Sequence, residues 1–197
     1  MKGPARNEVR REEIIKVASR LISQKGYNGV SIQEIAKHVG IHKSTFFHYF
    51  ENKENLLLAV LGRAIADVTT SLKEIMANDH LPPQEKLKVA IDNHMKLFLK
   101  YKDNVTIYHN DVQFLSDEKR KEYIKQRKYY AECFEQLVNE IRDENPEIFK
   151  ALDSKIVTFG ILGMCNWTIK WFSNSGRLSA EEIADNFYKM IIKEGDL

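Results

Sequence analysis

Eight residues between His42 and Lys53 place hydrogen-bond donors and a bare ring in a stretch too short to be a core. They are His42, Lys43, Ser44, Thr45, Phe47, His48, Tyr49 and Lys53. On a helix with Phe46 at the centre of the inward face, Phe50 lies one turn on. Phe47, Ser44 and His48 then point outward, with Lys43 and Thr45 on the flanks. This is chemistry suited to a duplex. A lysine can donate to guanine O6 and N7, a hydroxyl to either base type or to phosphate, and a phenyl ring can touch a thymine methyl. Tyr49 and Lys53 are placed to hold phosphates, as are Arg10, Arg11 and an N-terminal arm containing Lys2 and Arg6. An ordinary bundle would bury all the aromatics of this segment. Phe46 and Phe50 fit that reading, but Phe47 and Tyr49 cannot share their face.

The elements that must position these groups are local. Ser31 and Glu34 have capping-box spacing, so a helix is expected from Ile32, with Ile32, Ile35, Ala36 and Val39 on one apolar face. Gly40 can take the left-handed conformation that ends it, and Ile41 plugs the corner. A second helix follows over 43–50. Two short helices about a tight turn make a helix-turn-helix, whose second helix lies in the major groove. A preceding helix carries the stripe Val17, Ala18, Leu21 and Ile22 and stops at Gly26.

Helical spacing continues to the end of the chain. Residues 54–76 read as one long helix, with Leu57, Val60, Leu61, Ile65 and Val68 among its apolar positions. Pro82-Pro83 enforces a break before a helix over 84–101. A loop at 102–104 and a short aromatic segment over 105–115 come next. A charged helix over 116–143, one over 153–172 and one over 180–193 follow, the last opened by the box Ser179–Glu182. The expected class is all-α. A three-helix DNA-binding domain (1–55) is joined through the long helix to a helical ligand-binding and dimerisation domain (56–197).

Charge is unevenly spread. Residues 1–55 hold ten Lys and Arg against six Glu, a net of +4, whereas the rest carries −2. A basic quarter on a neutral body fits a small DNA reader, but +4 is small, and charge alone favours a solvated surface with no partner. Cys133 and Cys165 lie in helical patterns, with no CxxC. The sequence offers no Ser-His-Asp set, metal cluster or glycine-rich phosphate loop, so no enzyme, metal or cofactor is expected. No stretch approaches the roughly 18 uncharged apolar residues of a membrane span, and there is no secretory h-region. The expectation is a cytoplasmic protein with no membrane partner.

The first sixty residues resemble the DNA-binding domain of TetR-family transcriptional regulators. The likeness rests on Gly26-Tyr27, Ser31, Ile35-Ala36, Val39-Gly40-Ile41, Ser44-Thr45, Tyr49-Phe50 and residues 52–56. By position it implies phosphate contacts from Thr45, Tyr49 and Lys53, and base edges near His42, Lys43, Ser44, Phe47 and His48. With Arg10, Arg11 and Ser31 these make the expected DNA-binding set. Members commonly carry tyrosine where Phe47 stands, so one hydroxyl contact is missing.

The resemblance further implies a repressor acting as a homodimer on a palindromic double-stranded operator. The last two helices would pair with those of the partner, and a small hydrophobic effector in the middle helices would release the DNA. Two stripes are compatible with such an interface: Ile156, Gly160, Gly163 and Trp167, then Ile183, Phe187 and Ile191. Aromatics crowd the middle of the chain, and Phe98, Tyr101, Tyr108, Phe114, Tyr123 and Tyr130 are candidate pocket residues. The stretch 160–192 is similar to a subgroup responsive to acyl-coenzyme A in fatty-acid or sterol degradation. The likeness lies in Gly163-Met164, Asn166-Trp167, Trp171-Phe172 and residues 176–179. Trp167, Lys170 and Trp171 at helical i, i+3 and i+4 would offer stacking and charge, with Arg127 and Arg177 as phosphate partners. The alternative is an efflux repressor responding to a hydrophobic drug or aromatic metabolite.

Overall fold

The computed structural model describes residues 4–192, with side chains from Asn7. Lys2, the Arg6 side chain and the expected helix end at Lys193 lie outside the described residues. Nine α-helices account for the described fold, and no strand occurs among those residues. They are α1 (Pro4–Lys25), α2 (Ile32–Val39), α3 (Lys43–Phe46), α4 (Lys53–Met76), α5 (Pro83–Lys100), α6 (Lys102–Asp111), α7 (Asp117–Glu144), α8 (Ser154–Trp167) and α9 (Ala180–Ile191). Short 3₁₀ turns at Val112–Phe114 and Thr168–Lys170 extend α6 and α8. The all-α class is as expected.

Three local expectations are corrected. The loop at 102–104 is the first turn of α6, and Tyr101 (φ −100°, ψ 28°) alone separates it from α5. Turn-forming residues became helical because their side chains found distant partners. Ser23 donates to Asp103 at 3.0 Å, Ser19 to Asn104 Oδ1 at 2.9 Å, and Asn104 Nδ2 to the Val60 carbonyl at 2.5 Å. The second correction is to α3, a single helical turn after which 47–49 tighten into turns. The third is to α8, which ends at Trp167.

Two compact units emerge. The first comprises the chain through Ala64 together with Tyr101–Lys125, and the second holds Ile65–Lys100 and the residues from Gln126 onward. Both α4 and α7 contribute to each. In the first unit α1 packs on α2 and α6, and α2 on α3. Ile14, Ala18, Ile22, Ile35, Phe46, Leu56, Leu57 and Ile107 are buried there. In the second, α5 packs on α8 and α9 around Leu72, Leu87, Ile91, Met95, Phe134, Leu137, Ile161 and Ile183.

The long α4 also departs from its sequence reading, which left no stretch near the length and apolarity of a membrane span. By length and composition this helix is apolar enough to cross a bilayer. Its apolar side is occupied within the protein, where Leu56, Leu57, Val60, Leu61, Val68 and Leu72 are buried.

The α7–α8 connection is strained. Phe149 (φ 59°) and Ala151 (φ 60°) are both left-handed, and neither is glycine. Arg142 braces the turn by donating to the Phe149 and Leu152 carbonyls. A left-handed L-residue costs about 1–2 kcal/mol, part of which glycine returns as unfolded-state entropy. Ala151→Gly is therefore expected to stabilise the chain by about 0.5–1 kcal/mol. A urea midpoint raised at constant m-value is the readout, and a lowered midpoint would refute the strain.

Candidate nucleic-acid interface

The turn that presents α3 is built from backbone bonds. Ser31 Oγ accepts the Glu34 N–H at 3.1 Å and starts α2. The expected box is only half made, because Glu34 gives its carboxylate to Lys25 Nζ at 2.5 Å. That bond is the main reason its acidity is strengthened. At the other end Gly40 is left-handed (φ 72°, ψ 34°), and its N–H reaches the Lys37 carbonyl while that of Ile41 reaches the Ala36 carbonyl. This pair of bonds is a Schellman closure, which turns the chain sharply into α3.

Phe46 at the end of α3 and Phe50 just beyond the following turn are buried, with ring centroids 5.7 Å apart. Phe47 meets Phe46 edge-on at 5.5 Å yet stays 46% exposed. His42, Lys43, Ser44 and His48 are exposed, and Thr45 and Tyr49 are half-buried. The protein thus carries one helical turn of outward polar groups, anchored by two phenylalanines. Tyr49 Oη donates to Asn7 Oδ1 at 3.2 Å, tying the turn after α3 to the start of α1.

The expected phosphate hands are more occupied than spacing alone suggested. Arg10 pairs with Glu13 at 2.7 Å and reaches the Val39 carbonyl at 3.4 Å. Arg11 lies 5.1 Å over the Phe50 ring and 3.9 Å from Glu12. Ser31 keeps its hydroxyl proton, since as a cap it accepts. Lys53 donates to the Tyr27 carbonyl and sits 4.1 Å over the Tyr27 ring. Partial burial weakens its hold on the proton, and the charge of Asp111 opposes that. Beside it Glu54 accepts from the Ser116 N–H at 2.7 Å and Lys119 at 3.0 Å, which draws its pKa down to about 2.

The candidate effector residues are divided between the units. Tyr101, Tyr108, Phe114 and Tyr123 belong to the first, where Tyr108 and Tyr123 rings lie 5.6 Å apart. Phe98, Arg127, Tyr130, Trp167, Lys170, Trp171 and Arg177 belong to the second. Tyr123 and Tyr130 are buried, while Trp167, Lys170, Trp171 and Arg177 are exposed. The expected i, i+3, i+4 face of Trp167, Lys170 and Trp171 crosses a change of helix type, in which i and i+3 stay in line while Trp171 lies past the turn. The α-helix stops at Trp167, and the 3₁₀ turn changes the angular step before Trp171 (φ −130°). A cleft of about 450 Å³ in the second unit is lined by other residues, among them Asp79, Glu140, Asp143 and Glu144.

The sequence places His94 and Tyr130 near one aromatic cluster but gives His94 no identifiable partner. His94, buried on α5, stacks on Phe98 and bonds Tyr130 Oη through Nδ1 at 2.8 Å and Asn166 Oδ1 through Nε2 at 3.0 Å. Asn166 Oδ1 only accepts, so Nε2 carries the proton and Nδ1 takes that of Tyr130. Burial pulls the imidazole pKa down to about 4, against the Asn166 bond. The available signal was a lone histidine three positions beyond Ile91 on the apolar stripe of α5.

The expected interface residues also separate. Ile156, Gly160, Gly163 and Trp167 form an exposed face of α8, which Phe159 (52% exposed) joins. Ile183 is instead a core residue at 4% exposure, and Phe187 and Ile191 are half-buried against the same core. The stripe of α9 docks it on α5 chiefly through Ile183, while Phe187 and Ile191 keep part of their surface open. Met190, 69% exposed, is the large apolar side chain that α9 leaves outside.

Residues 14–60 match the model of the bacterial regulatory proteins of the tetR family, and 80–194 match the tetracyclin repressor-like C-terminal domain. The chain belongs to the TetR family. Membership sets it among regulatory proteins rather than enzymes. It is 35% identical over 99 residues to the HTH-type transcriptional regulator YerO of Bacillus subtilis, covering 50% of this chain and 34% of that one. The chain spans about a third of the length of the first curated relatives it matches. Among solved structures, AibR in complex with isovaleryl coenzyme A and operator DNA is 29% identical. It covers 92% of this chain and 97% of its own, with a TM-score of 0.78. The TetR-family regulator PfmR from Thermus thermophilus is 26% identical, covers 90% and 96%, and also reaches 0.78.

Proposed function

We propose that this TetR-family chain is a cytoplasmic transcriptional repressor that binds a palindromic operator as a homodimer and is released by an acyl-CoA thioester. The observation that carries the DNA reading is the α3 turn. Phe46 and Phe50 are sealed beneath it, while Lys43, Ser44, Phe47 and His48 are held outward by the Schellman turn. Two such turns, one per protomer, would read half-sites about 34–36 Å apart. Lys43, His42, Ser44 and His48 then meet base edges, Phe47 meets a methyl, and Thr45, Tyr49 and Lys53 meet phosphates. Arg10, Arg11 and Ser31 flank them.

The effector reading is supported by the likeness to AibR, solved with isovaleryl coenzyme A and operator DNA. In this chain the apolar tail of a thioester is assigned to the aromatic residues of the middle helices, and its phosphates to Lys170, Arg127 and Arg177. Selection from random duplexes tests both halves. It is expected to return one palindrome, bound at least about a thousandfold more tightly than scrambled DNA. Adding CoA thioesters should release it, and free fatty acids and lipophilic cations should not. Sequence-indifferent binding would refute the operator reading, and release by lipophilic cations instead would refute the thioester.

A further inference from the structure

Within the first unit, the charge of Lys53 is already claimed. Its ammonium donates to the carbonyl of Tyr27 and lies 4.1 Å over that ring. Tyr27 is held from the opposite direction by the end of α6. Its N–H donates to Asp111 Oδ1 at 2.9 Å, and its ring stacks on Phe114 at 5.2 Å with 20° between the planes. Asp111 is 5% exposed, so its carboxylate acts where water screens it least. Gly26 just before Tyr27 is left-handed (φ 72°), which lets the chain turn sharply at the end of α1. Both polar backbone groups of Tyr27 are therefore engaged, one by a carboxylate and the other by an ammonium.

We propose that Asp111, Tyr27 and Phe114 form a holding site for the Lys53 ammonium, which competes with an operator phosphate for that charge. The inference rests on the reading that Lys53 meets DNA. With Asp111 bound to the Tyr27 N–H and the Tyr27 carbonyl and ring on the ammonium, Lys53 grips a phosphate weakly.

Asp111→Asn keeps an oxygen for the Tyr27 N–H and removes only the charge. It is expected to tighten operator binding about three- to tenfold at low salt and steepen the salt dependence by up to about one counterion. Lys53→Ala should do the reverse, weakening all sequences and flattening the slope by about one. In the Lys53→Ala background, Asp111→Asn should change nothing further. A gain that persists there is a general charge effect and overturns the holding site. If Lys53→Ala weakens binding but Asp111→Asn does not tighten it, the holding site alone fails. If Lys53→Ala is silent, the DNA role of Lys53 fails and takes the inference with it. Lysine ammonium NMR on the unaltered chain guards against a misfolded variant. A slowly exchanging Lys53 signal should be present without DNA and shift when operator is added, and its absence from the free protein overturns the proposal.

Discussion

Gly163→Gln is expected to leave each protomer folded and to cost operator affinity about a hundredfold or more. Glycine inside a helix destabilises it by about 0.5–1 kcal/mol relative to alanine, so two of them on one face of α8 call for a reason. Nothing within the described chain supplies one. A Cβ at Gly160 or Gly163 would find no atom within 4 Å. Around them Ile156 is 66%, Phe159 52% and Trp167 65% exposed, a contiguous apolar face that water covers unfavourably. A second copy packing there would use the glycines for close helix approach, and the added side chain would obstruct it. Because two linked readers gain about 10²–10⁴ over one, a monomer would lose most of its grip on a palindrome while keeping half-site contacts. Sedimentation velocity paired with anisotropy on full and half operators checks this. A variant that remains dimeric and binds as tightly as the parent would remove α8 from the interface.

Acidification should destabilise the protein from about pH 6.5 downward, earlier than carboxylates alone would dictate. His94 is the cause. Its pKa in the folded chain is about 4, against about 6.5 when unfolded. Between those values the unfolded chain binds a proton that the folded one refuses, so stability falls as pH falls through this window and levels off below about 4. The shift corresponds to about 3 kcal/mol at most. His94→Gln is expected to lower stability at pH 7, since Tyr130 and Asn166 lose well-placed partners, and to flatten the profile between about pH 6.5 and 4. Urea titrations at fixed protein concentration across that range are the measurement. Identical slopes for parent and variant would show that the buried imidazole is not what titrates. Glu54, a carboxylate also held below its ordinary range, acts later. Its stabilisation is present above the ordinary carboxylate range and is lost as pH falls toward about 2.

Features set by neighbours in the chain were legible before any coordinates. Gly40 ends α2 as a left-handed residue, Ser179 and Glu182 exchange both bonds of their box, and Phe46 with Phe50 seals α3. Each depends on geometry within a turn or two, which helical spacing encodes directly. Where a distant group could compete, spacing was not enough. Ser31 and Glu34 have the same box spacing, but Lys25 takes the carboxylate. Residues 102–104 look like a loop, yet Ser19, Ser23 and the Val60 carbonyl hold them helical from about 40 to 85 positions away.

The same division runs through the candidate site. Periodicity identifies Ile183 as apolar, but only the packing of α9 on α5 decides that it faces the core rather than a partner. Helical spacing put Trp167, Lys170 and Trp171 on one α-helix, but the α-helix ends at Trp167 and Trp171 lies past a 3₁₀ turn. The sequence by itself determined an all-helical regulator with an outward-facing α3, because backbone bonding and amphipathic spacing are short-range. The engagement of Lys53 by Tyr27, of Tyr27 by Asp111, and of His94 by Tyr130 and Asn166, was left to the tertiary structure. A buried or half-buried charge takes whichever partner the folded chain brings within hydrogen-bond reach, and chain separation does not encode that distance.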